Sequence, residues 1–133
     1  MFICKYCKDD PQLHTFRIHD ELDNHTVFYS CIAESTDKNV TQIVYHINGF
    51  LEEHMKTNKT WSWIIDSKNF SIEWHSLSLT IELIGLYKKY QSTITEIRVR
   101  NLNGWMKEFL EMCIPFMNSS LQSILKIETA TAL

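Results

Sequence analysis

Two cysteines and two histidines near the start of the chain have a spacing that suits a metal ion. Cys4, Cys7, His14 and His19 form the pattern C-x2-C-x6-H-x4-H. Structural zinc takes four thiolate or imidazole ligands in a tetrahedron. The middle spacing is shorter than the roughly twelve residues of a ββα zinc finger, so these residues suit only a knuckle-like loop. The alternative is a segment with free thiols and surface histidines.

Asp66 is the second residue with potential chemistry, because it ends the apolar run W-S-W-I-I-D at residues 61–66. A catalytic acid needs a base or nucleophile nearby. The sequence contains no G-x-S-x-G, no H-E-x-x-H and no glycine-rich phosphate loop. We therefore predict that the Asp66 side chain caps the turn after a core strand, and that the chain is not an enzyme. No cofactor is predicted beyond the zinc that the N-terminal residues would hold.

The composition is that of one globular domain with a real core: 133 residues, 44% of them hydrophobic, and a net charge of −3. The acidic balance and the absence of a basic run argue against nucleic acid as a partner. No signal peptide or membrane span is recognisable, which predicts a cytoplasmic protein. Four cysteines in a chain of this size do not indicate a disulfide scaffold.

The hydrophobic patterns predict alternating strands and helices. Strands are predicted at 26–33, 61–66, 95–102 and 124–128, and the second of these is apolar enough to be covered on both faces. Helices are predicted at 39–55 with Asp37 as the N-cap, from Ser76 to about Tyr90, and from Asn103 towards Pro115. A short helical turn is expected at 118–123.

This order predicts an α/β fold, a small, mainly parallel sheet with right-handed crossover helices. Residues 1–24 are predicted to be an irregular N-terminal segment, and residues 25–133 to form the α/β domain. Gly49 weakens the first helix by roughly 1 kcal/mol relative to alanine, so we expect it to lie at a close contact.

Three stretches in order resemble the CRAL-TRIO lipid-binding family over roughly residues 26–128. They are WSWIIDSKNF, LYKKYQSTITEIRVRNLNGW and FLEMCIPFMNSSLQSILKI. The chain departs from the family pattern at Gln91-Ser92, at Asn103 and at Asn69, where the family often has Pro-Glu, Pro and Gly. The segment that closes the family's lipid gate and the usual N-terminal helical domain have no counterpart, which suggests a minimal or truncated member. The divergent BCH-like branch is an equally distant relative.

The resemblance implies a CRAL-TRIO-like fold and a non-enzymatic module that binds a lipid or another hydrophobic small molecule. Peripheral membrane contact would accompany such a role. The alternative is a BCH-type scaffold that binds a partner protein and no lipid, or that forms a homodimer. The candidate ligand-binding residues are Trp63, Arg98, Arg100, Trp105, Phe109 and Phe116. Arg98 and Arg100 would hold a phosphate or carboxylate head group if their strand face looks into the cavity; otherwise they pair with surface acids.

Overall fold

A five-stranded sheet forms the centre of the structure, a computed structural model that describes residues 2–128. Its strands follow chain order: β1 (Arg17–Glu21), β2 (His25–Ser30), β3 (Thr60–Asp66), β4 (Ile94–Arg100) and β5 (Leu125–Ile127). β1 pairs antiparallel with β2, and the other pairs are parallel. The connections contain α1 (Val40–His54), α2 (Leu77–Tyr90), α3 (Gly104–Cys113) and α4 (Ser119–Ile124). The predicted α/β class is confirmed.

A polar residue caps the N-terminus of each of these four helices. Asn39, Ser76, Asn103 and Asn118 each accept a hydrogen bond from the backbone N–H three residues later, as expected at N-caps. Ser76 and Asn103 were predicted, but Asp37 was not the correct cap for α1. Its Oδ1 instead accepts a hydrogen bond from the N–H of Asn39, the N-cap residue, at 2.8 Å. α3 ends at Cys113, two residues before Pro115, and a short 3-10 turn (Ile114–Phe116) follows.

β1 lies within the segment that the sequence predicted to be irregular. All five of its residues are exposed, so it has no apolar face from which a strand could be predicted. The residue before it, Phe16, is buried, and its ring stacks on Phe28 of β2 at a centroid distance of 4.9 Å. The N-terminal segment is therefore packed against the sheet.

One face of the sheet carries the core. Each crossover from β2 onward steps to the next strand in the same direction, so right-handed connections place the helices on the same face. Phe28, Trp63 and Ile97 are paired neighbours on that face and are all buried. On the opposite face, Ser62 and Ile64 of β3 are only half-buried. The prediction that β3 is covered on both faces was wrong, because crossovers that all step one way leave the second face open.

The two tryptophans of β3 anchor the core with their polar atoms satisfied. Trp61 Nε1 donates to Thr93 Oγ1 at 3.1 Å, and Trp63 Nε1 donates to Ser30 Oγ at 2.8 Å. Buried indole N–H groups normally need such partners. In the described part of the chain, no helix has the length and apolar character needed to cross a membrane.

Candidate functional site

An apolar cavity lies between the sheet and the helices, near the carboxyl ends of β2 and β3. Ser30 and Ile65 contribute from these strand ends, Ile43 and Ile47 from α1, and Leu83 from α2. The remaining lining residues come from the N-terminal segment, β3, the loops and helices: His14, Thr15, Phe16, Ile32, Ser35, His46, Trp63, Phe70, Leu79, Met106 and Phe109. Ligands of open parallel sheets commonly bind at this end of the strands.

The cavity is small and uncharged. The space open to the centre of a water molecule measures about 70 Å³, enough for a few waters but below the usual size of a drug-sized ligand pocket. Among the residues that the structure describes, no lysine, arginine, aspartate or glutamate lines it. The hydroxyl of Ser30 is engaged by Trp63, and that of Ser35 donates to the carbonyl of Leu13. The cavity therefore suits an apolar group rather than a charged one.

Two of the six candidate ligand-binding residues, Trp63 and Phe109, line this cavity. The structure places Trp105 and Phe116 away from it, with 43% and 40% of their surfaces exposed. Trp105 lies on the outer side of α3, where its ring contacts the His75 ring at 6.0 Å. Most of the cavity-lining side chains were not among the candidates, because an apolar residue beside a cavity has the same sequence pattern as any core residue.

The two candidate arginines lie on the open face of the sheet and not in the cavity. The guanidinium of Arg98 lies 2.7 Å from Glu96 Oε1, and Arg100 Nε donates to Glu128 Oε2 at 3.2 Å. Between the arginines on β4, Val99 is fully buried on the helix-covered face, so the strand alternation directs Arg98 and Arg100 outward. Their positions correspond to the alternative in which both arginines pair with acidic residues at the surface.

Asp66 has the structural role predicted for it. Its Oδ1 accepts hydrogen bonds from the Lys68 N–H and from Asn101 Nδ2, both at 3.0 Å, and Tyr29 OH donates to its Oδ2 at 2.8 Å. Burial acts to raise the pKa of Asp66, but these three hydrogen bonds and the charge of Arg100 outweigh it and hold the pKa below its usual value. Burial, and then the bond to Asp66, raise the pKa of Tyr29 to about 12.

A cluster of four potential metal ligands lies at the wall of the cavity. The ligand atoms of Cys4, Cys7, His14 and His46 all lie within 4.8 Å of one another. Cys7 Sγ is 3.3 Å from His14 Nδ1 and 3.5 Å from His46 Nδ1, and Cys4 Sγ is 3.7 Å from His14 Nδ1. We refer to these four residues as the Cys/His cluster.

His19, the fourth ligand in the sequence pattern, is not part of the cluster. It lies exposed on β1, where its ring stacks on Tyr29 of β2 at 5.6 Å. The position is taken by His46, which sits on the buried face of α1 between Ile43 and Ile47. A histidine at a core position of an amphipathic helix was the available sequence signal, but it is equally typical of a structural histidine.

Both histidines of the cluster are held by a hydrogen bond on their far nitrogen. His14 Nε2 donates to Asp37 Oδ2, and His46 Nε2 donates to the carbonyl of Phe16, each at 2.7 Å. A carbonyl or carboxylate can only accept, so each Nε2 carries a proton. In the neutral imidazole, Nδ1 is then left with its lone pair directed at the cysteines.

Burial perturbs two members of the Cys/His cluster. Burial, and next the neighbouring Cys4 thiol, raise the pKa of Cys7 to about 11. Burial also lowers the pKa of His46, against the opposing effect of its bond to Phe16, so its imidazole is neutral near pH 7. The described cysteines form no disulfide.

Comparisons with known proteins agree with this architecture. The family model of the CRAL/TRIO domain matches residues 2–132. The structure is similar to the crystal structure of Sfh5, with a TM-score of 0.64 and 14% sequence identity over 86% of this chain and 46% of that one. At this identity the likeness concerns the fold, and the chain spans less than half the length of Sfh5. No curated protein matches the chain significantly. Since the family match extends over nearly its whole length, the chain belongs to the CRAL/TRIO domain family, whose members are usually non-catalytic modules associated with lipophilic ligands.

Proposed function

We propose that this chain is a non-catalytic binding module whose cavity takes the apolar part of a lipophilic ligand. The observation that carries the proposal is the cavity's lining: aromatic and aliphatic side chains from the sheet, α1, α2 and α3 meet there, with no charged group among them. Concave sites of this composition, with few polar groups, are typical of small-molecule binding.

The lining also restricts the ligand. Burying an ionised head group here would leave it without a counter-charge, which is strongly unfavourable. A hydrocarbon chain or a neutral ring would occupy the cavity, and any charged group of the ligand would remain outside. Arg98 and Arg100 do not contact this ligand, because they already pair with Glu96 and Glu128 on the open face.

The cavity must widen to accept more than the end of a chain, since only about 70 Å³ is open to the centre of a water molecule. Leu83 and Met106 are the side chains best suited to move. Leu83 is half-buried, and the unbranched thioether of Met106 adapts easily to a changed neighbour. The ligand would thus replace internal contacts rather than fill a large preformed space.

The test combines extraction with a defined probe. Organic extracts of the purified full chain should contain a co-purified lipophilic molecule by mass spectrometry, and cis-parinaric acid should bind with energy transfer from tryptophan. Leu83→Phe narrows the cavity and should weaken this binding at least about tenfold, or about 1.4 kcal/mol. Leu77→Phe makes the same substitution on the exposed side of α2 and should have no effect.

The proposal fails if the extract and the probe titration are both negative, or if both variants bind the probe like the unmodified chain. A negative result together with a dimer or a co-purified protein on size-exclusion chromatography would favour the scaffold alternative.

A further inference from the structure

We propose that the Cys/His cluster binds one Zn²⁺ ion, with Cys4 and Cys7 as thiolate ligands and His14 and His46 as imidazole ligands. This site would be structural, because four protein ligands complete the tetrahedral shell and leave no position for a substrate. The proposal of a zinc site does not depend on the proposed ligand-binding function.

The distances already approach those of a zinc site. A tetrahedron with Zn–S bonds of about 2.3 Å and Zn–N bonds of about 2.0 Å has edges of about 3.3 to 3.8 Å. The three Sγ to Nδ1 distances given above, at 3.3, 3.5 and 3.7 Å, fall in this range. No pair of ligand atoms exceeds 4.8 Å, so small side-chain rotations would bring all four atoms onto one ion.

The surroundings of the histidines are those that zinc sites have. Metal-binding histidines usually donate their other ring N–H to a carboxylate or a backbone carbonyl, which fixes the ring and directs the free nitrogen at the metal. His14 has the carboxylate of Asp37 and His46 has the carbonyl of Phe16. Asp37 is 23 positions from His14, and Phe16 is 30 positions from His46, so the tertiary fold orients the two rings.

The position of the Cys/His cluster indicates which parts of the structure a bound ion would hold together. Residues 2–13 form only turns and irregular structure, and such a segment gains little stability from backbone hydrogen bonds. Three ligands lie in or next to this segment, and the fourth is on α1. A bound ion would fasten residues 2–13 to α1. His14 and His46 also line the apolar cavity, so the same ion would fix one part of the cavity wall.

The first experiment measures metal on the full chain. Protein purified without chelator should contain about one zinc per chain by elemental mass spectrometry, and removing the zinc should lower Tm by about 5 °C or more. Reconstitution with Co²⁺ alone should give the visible absorption of a tetrahedral site and a thiolate charge-transfer band. Metal content below about one in ten chains, before and after reconstitution with Zn²⁺, would overturn the proposal.

The second experiment assigns the ligands. His46→Gln should lower Zn²⁺ affinity by more than about 100-fold, beyond the 10–100-fold loss typical of removing an outer hydrogen-bond partner. The same substitution at His19 should leave the affinity unchanged. Equal losses at both positions, or a loss at His19 alone, would overturn the assignment of His46.

A third variant decides the matter if His46→Gln does not fold. Cys7→Ser changes a half-buried residue and should halve the charge-transfer intensity of the Co²⁺ protein, because one of two thiolates is lost. Cys31→Ser removes a buried thiol outside the Cys/His cluster and should leave the intensity unchanged. An unchanged intensity in Cys7→Ser would overturn the proposal.

Discussion

His14 Nε2 lies 2.7 Å from Asp37 Oδ2, and both side chains are buried. This contact joins the N-terminal segment to the loop that precedes α1, across 23 positions of sequence. Asp37 has a second bond on its other oxygen, to the N–H of Asn39. The Asp37 carboxylate therefore holds the backbone at the N-cap of α1 and also orients the His14 ring within the Cys/His cluster.

The first prediction concerns Asp37 as a positioning residue for the zinc site. Asp37→Asn keeps an oxygen for the Asn39 N–H but removes the charge that holds the His14 N–H. We expect Zn²⁺ affinity to fall by about 10–100-fold, measured by competition with a chromogenic chelator. Asp9→Asn, at an exposed position of the N-terminal segment, is the matched control. An affinity unchanged in Asp37→Asn would contradict this role.

The second prediction compares two helical glycines. A methyl group on Gly85 of α2 would meet no atom within 4 Å, so Gly85→Ala should raise the free energy of unfolding by about 0.5–1 kcal/mol. The ring of Phe2 packs directly on Gly49 of α1, as expected for a glycine at a close contact. Gly49→Ala must displace that ring and should therefore stabilise less than Gly85→Ala, or destabilise, in urea unfolding. Equal stabilisation by both substitutions would show that Phe2 does not pack there.

The third prediction is the pH dependence that comes from Asp66. Its pKa lies below the ordinary value of 3.8 in the folded protein. The stability from this carboxylate is therefore fully present above the ordinary pKa and is lost as pH falls through the lower folded value. Asp66→Asn should cost about 1.5–3 kcal/mol at pH 7, the range for hydrogen bonds to a charged group.

The measurement is urea unfolding of both proteins from pH 7 down to pH 2.5. The difference in free energy between them should shrink below about pH 4, where the unfolded carboxyl becomes protonated. Asp20→Asn, on the exposed strand β1, controls for a general effect of removing an acid. A difference that stays constant down to pH 2.5 would rule out the depressed pKa.

The fourth prediction tests whether the arginines of β4 contact the ligand. Arg98→Ala and Arg100→Ala remove side chains that pair with Glu96 and Glu128 on the open face of the sheet. Each should change the affinity for cis-parinaric acid by less than about twofold and stability by about 1 kcal/mol or less, as is typical of surface ion pairs. A tenfold loss of probe affinity in either variant would place that arginine at the ligand.

Local signals predicted much of the fold. Ser76 and Asn103 were identified as caps because a cap depends on residues three positions apart. The strand at 61–66 was recognisable from its apolar and aromatic residues, and Asp66 from its position just before a turn. The same reasoning failed for β1, whose exposed residues show no apolar alternation and which exists because β2 offers it an edge.

The sequence by itself determined the order of the four helices and of strands β2 to β5, the family resemblance and three of the four residues of the Cys/His cluster, since all of these lie in short stretches of chain. Only the tertiary structure replaced His19 with His46, which is 39 positions from Cys7. It also decided that Trp63 and Phe109 line the cavity while Trp105 and Phe116 do not. Contacts between residues distant in the chain depend on how the sheet and helices pack, and no local pattern contains that information.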